Sequence, residues 1–194
     1  MAYLSRSMKK KIKISKLEAA RRQLVTAIRL YFNNGDIVSM HTLAAAAFKI
    51  TQNISDSSAE PSDSVTAWVD KLVRPDYKKE FWRKLHETAN FFKHAEQDPE
   101  AIHEFYPEQT ENILFFAVYQ YRGLTGEWFP EIRLFSTWYM MQHPQAFNTP
   151  PEVVQLGREL FRYDRNRFWR ELMPLLQEEI DRGIIEQNHQ PDAD

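Results

Sequence analysis

Residues 15–35 read SKLEAARRQLVTAIRLYFNNG, and this stretch decides the fold class. Ser15 and Glu18 form a capping-box pair, in which the serine hydroxyl accepts a backbone N–H and the glutamate reaches back to the start of the helix. Behind them Leu17, Leu24, Ile28 and Tyr31 recur at helical spacing. Asn33-Asn34-Gly35 supplies a stop, because these residues accept the left-handed backbone in which helices end. The stretch is therefore one amphipathic helix with both ends written locally.

The same grammar repeats outward. A second helix is expected from about Asp36 to about Ile54, with Met40, Leu43, Ala44, Ala47, Phe48 and Ile54 on one face. Its small residues at 44–47 let a neighbouring helix approach closely. Residues 55–64, SDSSAEPSDS, read as a polar loop, with a short helix near Thr66–Val73 after it. Pro75 suits the first turn of a long helix reaching about Glu96, with Asp76 at its positive end. Pro107 and Glu108 open another helix with a deeply buried stretch at Ile113–Tyr119, ended by Gly123 and Gly126. Pro130 starts the next and Pro144 closes it. Thr149-Pro150-Pro151-Glu152 begins a last helical stretch running to about Ile180, broken or kinked at Gly157 and Pro174. Period-2 strand patterns are nearly absent, so the expectation is an all-α, single-domain helical bundle of about six to eight helices. Residues 1–14 read as a basic arm, 15–187 as the helical domain and 188–194 as a tail.

Bulk composition bounds the function. The chain has 194 residues, 43% hydrophobic and 13% aromatic, enough for one well-cored domain. It has no cysteine, which excludes disulfides, Cys-based zinc sites and thiol chemistry. No apolar run approaches the ~18–20 residues of a membrane span, and the basic start MAYLSRSMKKKIKIS lacks the apolar core of a secretory signal. A cytoplasmic protein with no membrane partner is expected. Net charge is −2, yet residues 1–30 hold nine Lys/Arg against Glu18 alone. Such an arm suits nucleic acid, an anionic surface or an acidic partner, and equally a solubilising terminus.

Enzymatic signatures are missing. No glycine-rich phosphate loop and no GxSxG elbow occurs. His86-Glu87 with Asn90 falls one histidine short of a zinc motif, so no metal and no cofactor is expected. His103 and His143 read as surface or capping residues.

What remains is a stripe. In HETANFFKHAEQDPE, residues 86–100, and just before it, Arg83, His86, Asn90, Lys93 and His94 recur at intervals of three and four. At ~100° per residue, Arg83, Glu87, Asn90 and His94 share an arc of roughly 60°, with His86 and Lys93 beside it and Phe81, Leu85, Ala89 and Phe92 opposite. A solvated face alone produces such a pattern. Asn and His are poorer helix formers than the residues that usually fill a wet face, and histidine exchanges protons near neutrality. His94 and Asn90 are thus the candidate catalytic residues, with Arg83 and Lys93 as phosphate holders. A second candidate surface is RELFRYDRNRFWR, residues 158–170, where Arg162, Arg165 and Arg167 interleave with aromatic residues in the mixture that binds phosphate and stacks bases. Helix packing with outward-snorkelling arginines explains the same segment.

The string Thr88-Ala89-Asn90-Phe91-Phe92-Lys93-His94-Ala95, late in a long helix, resembles the HEPN superfamily, whose motif is arginine, a polar residue, a short spacer and histidine. Asn90 matches the polar position and His94 the histidine, while Ala89 stands where the arginine belongs. Lys16 through Phe48 also resembles the opening hairpin of such a bundle, and the whole chain resembles uncharacterised bacterial proteins carrying the NFFKHA string. The resemblance implies a homodimer and a metal-independent ribonuclease, in which the histidine assists attack by the RNA 2′-hydroxyl and the arginine steadies the developing charge. Without that arginine the expectation shifts to a non-catalytic, HEPN-like protein that dimerises or binds a partner. A ribonuclease of toxin or defence type using His94, and a nucleic-acid-binding module, stand as alternatives, so RNA or a protein is the expected partner.

Overall fold

The computed structural model describes residues 11–57, 64–94, 96, 98–147, 150–162 and 164–185. Among these, eight helices and no strand are found, an all-α bundle: α1 Lys16–Phe32, α2 Ile37–Asp56, α3 Val65–Leu72, α4 Pro75–Phe91, α5 Pro107–Thr125, α6 Pro130–Gln142, α7 Pro151–Phe161 and α8 Arg165–Asp181. Residues 1–10 of the arm, the whole tail 188–194, the centre of the loop before α3, and Ala95, Thr149 and Tyr163 lie outside the described residues.

Local chemistry sets most boundaries. Ser15 Oγ accepts from the Glu18 amide at 3.0 Å, though the Glu18 carboxylate turns forward to Arg22 (2.7 Å). Asp36 caps α2 by accepting from the Ser39 amide at 2.7 Å, and Pro107 and Pro130 each occupy the first turn of their helices. Gly126, with φ of 69°, ends α5 in the left-handed conformation, while Gly123 is inside that helix.

The core forms where α1, α2 and α5 pack along their lengths. Leu24, Ile28 and Phe32 of α1 meet Ala44, Ala47 and Phe48 of α2, and Ile113, Leu114 and Ala117 of α5, all essentially inaccessible. The alanines give α2 the close approach expected of them. Leu17, expected on the buried face of α1, is exposed instead. It precedes the first fully buried residue of the helix, Ala20.

The C-terminal stretch departs from expectation in one respect. It divides at Arg162–Asp164 rather than at Gly157 or Pro174. Arg162 takes a left-handed φ of 46° to close α7, and Asp164 caps α8 by accepting from the Arg167 amide at 3.0 Å. Gly157 is helical and lets α6 come close: a Cβ there would stand 2.5 Å from Met141 Sδ. Pro174 is tolerated inside α8. The start of α8 is tied to the end of α1, with Asn166 Nδ2 donating to the Phe32 carbonyl at 3.1 Å and Arg165 Nε to Asn34 Oδ1 at 2.9 Å. Phe32 stacks on Trp169 with centroids 4.9 Å apart.

Candidate functional site

Helix α4 lies at the edge of the bundle, with only Thr88 and Ala89 fully buried. It ends at Phe91 rather than near Glu96, because Phe91 and Phe92 turn into an aromatic cluster with the returning segment. His103 stacks on Phe91 at 4.9 Å, and Phe105 meets Phe92 edge-on at 5.3 Å. His103 Nε2 pairs with Thr88 Oγ1 at 2.9 Å, so this histidine is a packing residue, not the surface or capping residue expected. Lys93 and His94 therefore sit in the turn after α4, although the His94 amide still bonds the Asn90 carbonyl at 3.1 Å.

The stripe does not act as one surface. Arg83 is clamped by its own helix: Nε and Nη2 hold Glu80 at 2.8 and 2.7 Å, and Nη1 holds Glu87 at 2.9 Å. The Arg83 guanidinium, bonded at both oxygens, draws the Glu80 carboxyl down to about 2. With its donors committed, Arg83 has little left for a phosphate. His86, expected on the wet side, is half-buried and lies parallel to Trp82 at 5.9 Å, with Phe48 at 6.1 Å. Burial, then Lys49 and Lys93, lowers its pKa.

Asn90 and His94 stand on a ridge between two hollows of opposite charge. On one side, a 780 Å³ hollow carries the carboxylates of Glu87, Glu96 and Asp98. On the other, a 370 Å³ cleft between α2 and α4 is lined by Lys49, Lys93, His86, Asn90 and His94 over a floor of Ala45 and Ala89, with no carboxylate. His94 is 63% exposed, with Nδ1 at 3.7 Å from Glu96 Oε2. Ala89 is 3% exposed. A larger side chain at this position would have to displace what packs against it.

Behind the cleft lies a histidine that the sequence reading passed over. His41 is 1% exposed, with Nδ1 paired to Thr110 Oγ1 at 3.1 Å and Nε2 buried without a hydrogen-bond partner. Burial, reinforced by Lys93 and His103, pulls it down to about 4, so it is neutral near pH 7.

The arginines of 158–170 do not gather either. Phe161 and Phe168 are buried, as helix packing requires. Arg162 is exposed at the α7 end, Arg167 pairs with Glu171 at 2.7 Å, and Arg165 turns inward with its Cζ 4.4 Å from the Tyr31 ring centroid. Among the described residues no group of three or more His, Asp or Glu side chains is arranged to hold a metal ion. No helix there is long and apolar enough to cross a membrane.

Comparison with protein-family models, curated proteins and solved structures returns no match for this chain.

Proposed function

We propose that this is a HEPN-like protein that holds a phosphate-bearing partner, RNA being the one the resemblance implies, and does not cleave it. The observation that carries the reading is the composition of the cleft beside Asn90 and His94. Two lysines, Lys49 of α2 and Lys93 in the turn after α4, face it with no carboxylate among its lining, and no arginine reaches it. Ammonium groups attract a phosphate as point charges, whereas stabilising a developing oxyanion calls for donors fixed in a set geometry. Losing one such donor costs about 3–4 kcal/mol of transition-state stabilisation. Binding survives that loss; hydrolysis does not.

The opposed charges on the two sides of the ridge support a second reading, self-association. A two-fold axis running along α4 would set the Lys49–Lys93 cleft of one copy against the Glu96–Asp98 hollow of the other. Sedimentation of the protein alone, at low and high salt, tests it.

The deciding experiment for the main reading is titration of a labelled single-stranded RNA in EDTA, with gel analysis of the same samples. The expected result is binding that weakens steeply with salt, an intact RNA, and loss of binding in the Lys49→Ala/Lys93→Ala double variant. RNA cleavage abolished by His94→Ala would replace this reading with the ribonuclease. Absence of binding at low salt would end both.

A further inference from the structure

We infer that a second cleft, formed by α1, α5, α6 and the start of α8, binds a small zwitterion: a free amino acid whose ammonium meets Glu111 and whose carboxylate meets Arg165. The cleft measures 450 Å³, within the ~300–1,000 Å³ range of small-molecule pockets. It is remote in sequence from the α4 ridge, and the inference does not depend on RNA binding.

The case begins with an unneutralised carboxylate. The Glu111 side chain is only 19% exposed. One of its oxygens accepts the Tyr31 hydroxyl, a neutral donor. The other stands 4.0 Å from His143 Nε2, which has no hydrogen-bond partner. No lysine or arginine pairs with Glu111 among the described residues. A charge so covered and without a lasting counter-charge is costly to hold.

An unneutralised cation faces the same space. The Arg165 guanidinium rests on the Tyr31 ring, and its Nε is spent on Asn34 Oδ1. Its terminal amines make no ion pair among the described residues. The neighbouring Asp164 carboxylate is engaged in capping α8. Glu111 and Arg165 thus present opposite charges to one cleft without pairing with each other. An amino acid satisfies both: ammonium to carboxylate, and carboxylate to the guanidinium fork.

The walls are rigid, which a weak small ligand needs. Trp138 Nε1 donates to Tyr31 Oη at 2.9 Å, fixing the hydroxyl that serves Glu111. Burial and then the Glu111 charge raise the Tyr31 pKa, so the hydroxyl remains a donor at neutral pH. The bonds from Arg165 and Asn166 to the end of α1 hold the fourth wall.

The test is isothermal titration and thermal melting of the full chain at pH 7.5 with millimolar free L-amino acids. Glycine, the ω-amino acids, and N-acetylated and methyl-esterified forms of each binder complete the series. At least one free amino acid is expected to bind and raise the melting temperature, with each blocked form tenfold weaker or worse. Glu111→Gln, which keeps an acceptor for Tyr31, and Arg165→Met should each weaken binding tenfold or more. Lys49→Ala/Lys93→Ala should leave it unchanged. No binding by any free amino acid overturns the assignment and leaves Glu111 as part of the packing. Equal binding of the blocked forms overturns the zwitterion. Undiminished binding to both variants places the ligand elsewhere and overturns the site. Because the blocked ligands are compared on wild-type protein, the inference stands or falls even if a variant fails to fold.

Discussion

Helices α1, α2 and α5 on one side, and α4 with its return segment on the other, are built into the bundle very differently. The α1 helix buries six of its 17 residues and α2 nine of 20, whereas α4 buries two of 17. The first group is held by aliphatic and phenylalanine side chains in continuous contact. The second packs through the half-buried Phe81, Trp82 and Leu85, and its far end is anchored by Phe91, Phe92 and the His103–Phe105 pair. The lesson is that histidine serves opposite purposes in neighbouring places: His41 is sealed and neutral, while His94, one cleft away, is open to solvent.

The sharpest way to break this contrast is to empty the central packing. Phe48→Ala should cost about 3–5 kcal/mol, by chemical denaturation, since the cavity has no side chain free to fill it. His94→Ala should change stability by less than about 0.5 kcal/mol; a comparable loss would show that the α4 turn belongs to the core after all.

Acid provides the next effect. The folded His41 titrates at about 4, below the ordinary value of ~6.5. As pH falls through that window the unfolded chain takes up a proton that the folded chain refuses, so stability declines with falling pH. The loss should be at most on the order of 3 kcal/mol by pH 4, at ~1.4 kcal/mol per pH unit, with His86 acting in the same direction. His41→Gln should flatten the slope between pH 6.5 and 4.5 in urea titrations. An unchanged slope would assign it to other groups.

Smaller still is the cost of stripping the basic cleft. Lys49→Ala/Lys93→Ala should weaken RNA at least tenfold, or ~1.4 kcal/mol, with melting temperature nearly constant. Arg83→Ala should move RNA affinity and stability least, because its pairs with Glu80 and Glu87 lie in solvent, where such pairs contribute little. A large loss of RNA affinity on that substitution would mean that Arg83 leaves its carboxylates to meet the ligand.

The helices were largely legible because their limits are local: Ser15, Asp36, Pro107 and Pro130 each act on the next few backbone N–H groups. The end of α4 was not, since no glycine or proline marks it and the stop depends on His103 and Phe105 folding back. The wheel that put His86 on the wet side failed for a related reason. Phe48 and Trp82 flank it, and only the packing of α2 against α4 brings Phe48 there. The place of Lys93 beside Asn90 and His94 could be read from its spacing, but Lys49 and the buried His41 belong to another helix, invisible to spacing within α4. The Arg165 reading followed composition, which says how many cations a segment has and nothing about which of them turn inward.

The seam between α1 and α8 has a consequence in time. Asn166 and Phe32, joined by hydrogen bond, are separated by 134 residues, and Phe32 keeps one face for Trp169 and Phe168. During synthesis the first helix emerges long before its cover exists, so its aromatic end must wait with that face bare until the eighth arrives. A ribosome that stalls before residue 165 therefore releases a chain whose most adhesive surface is open, and such fragments should be what chaperones and proteases meet first.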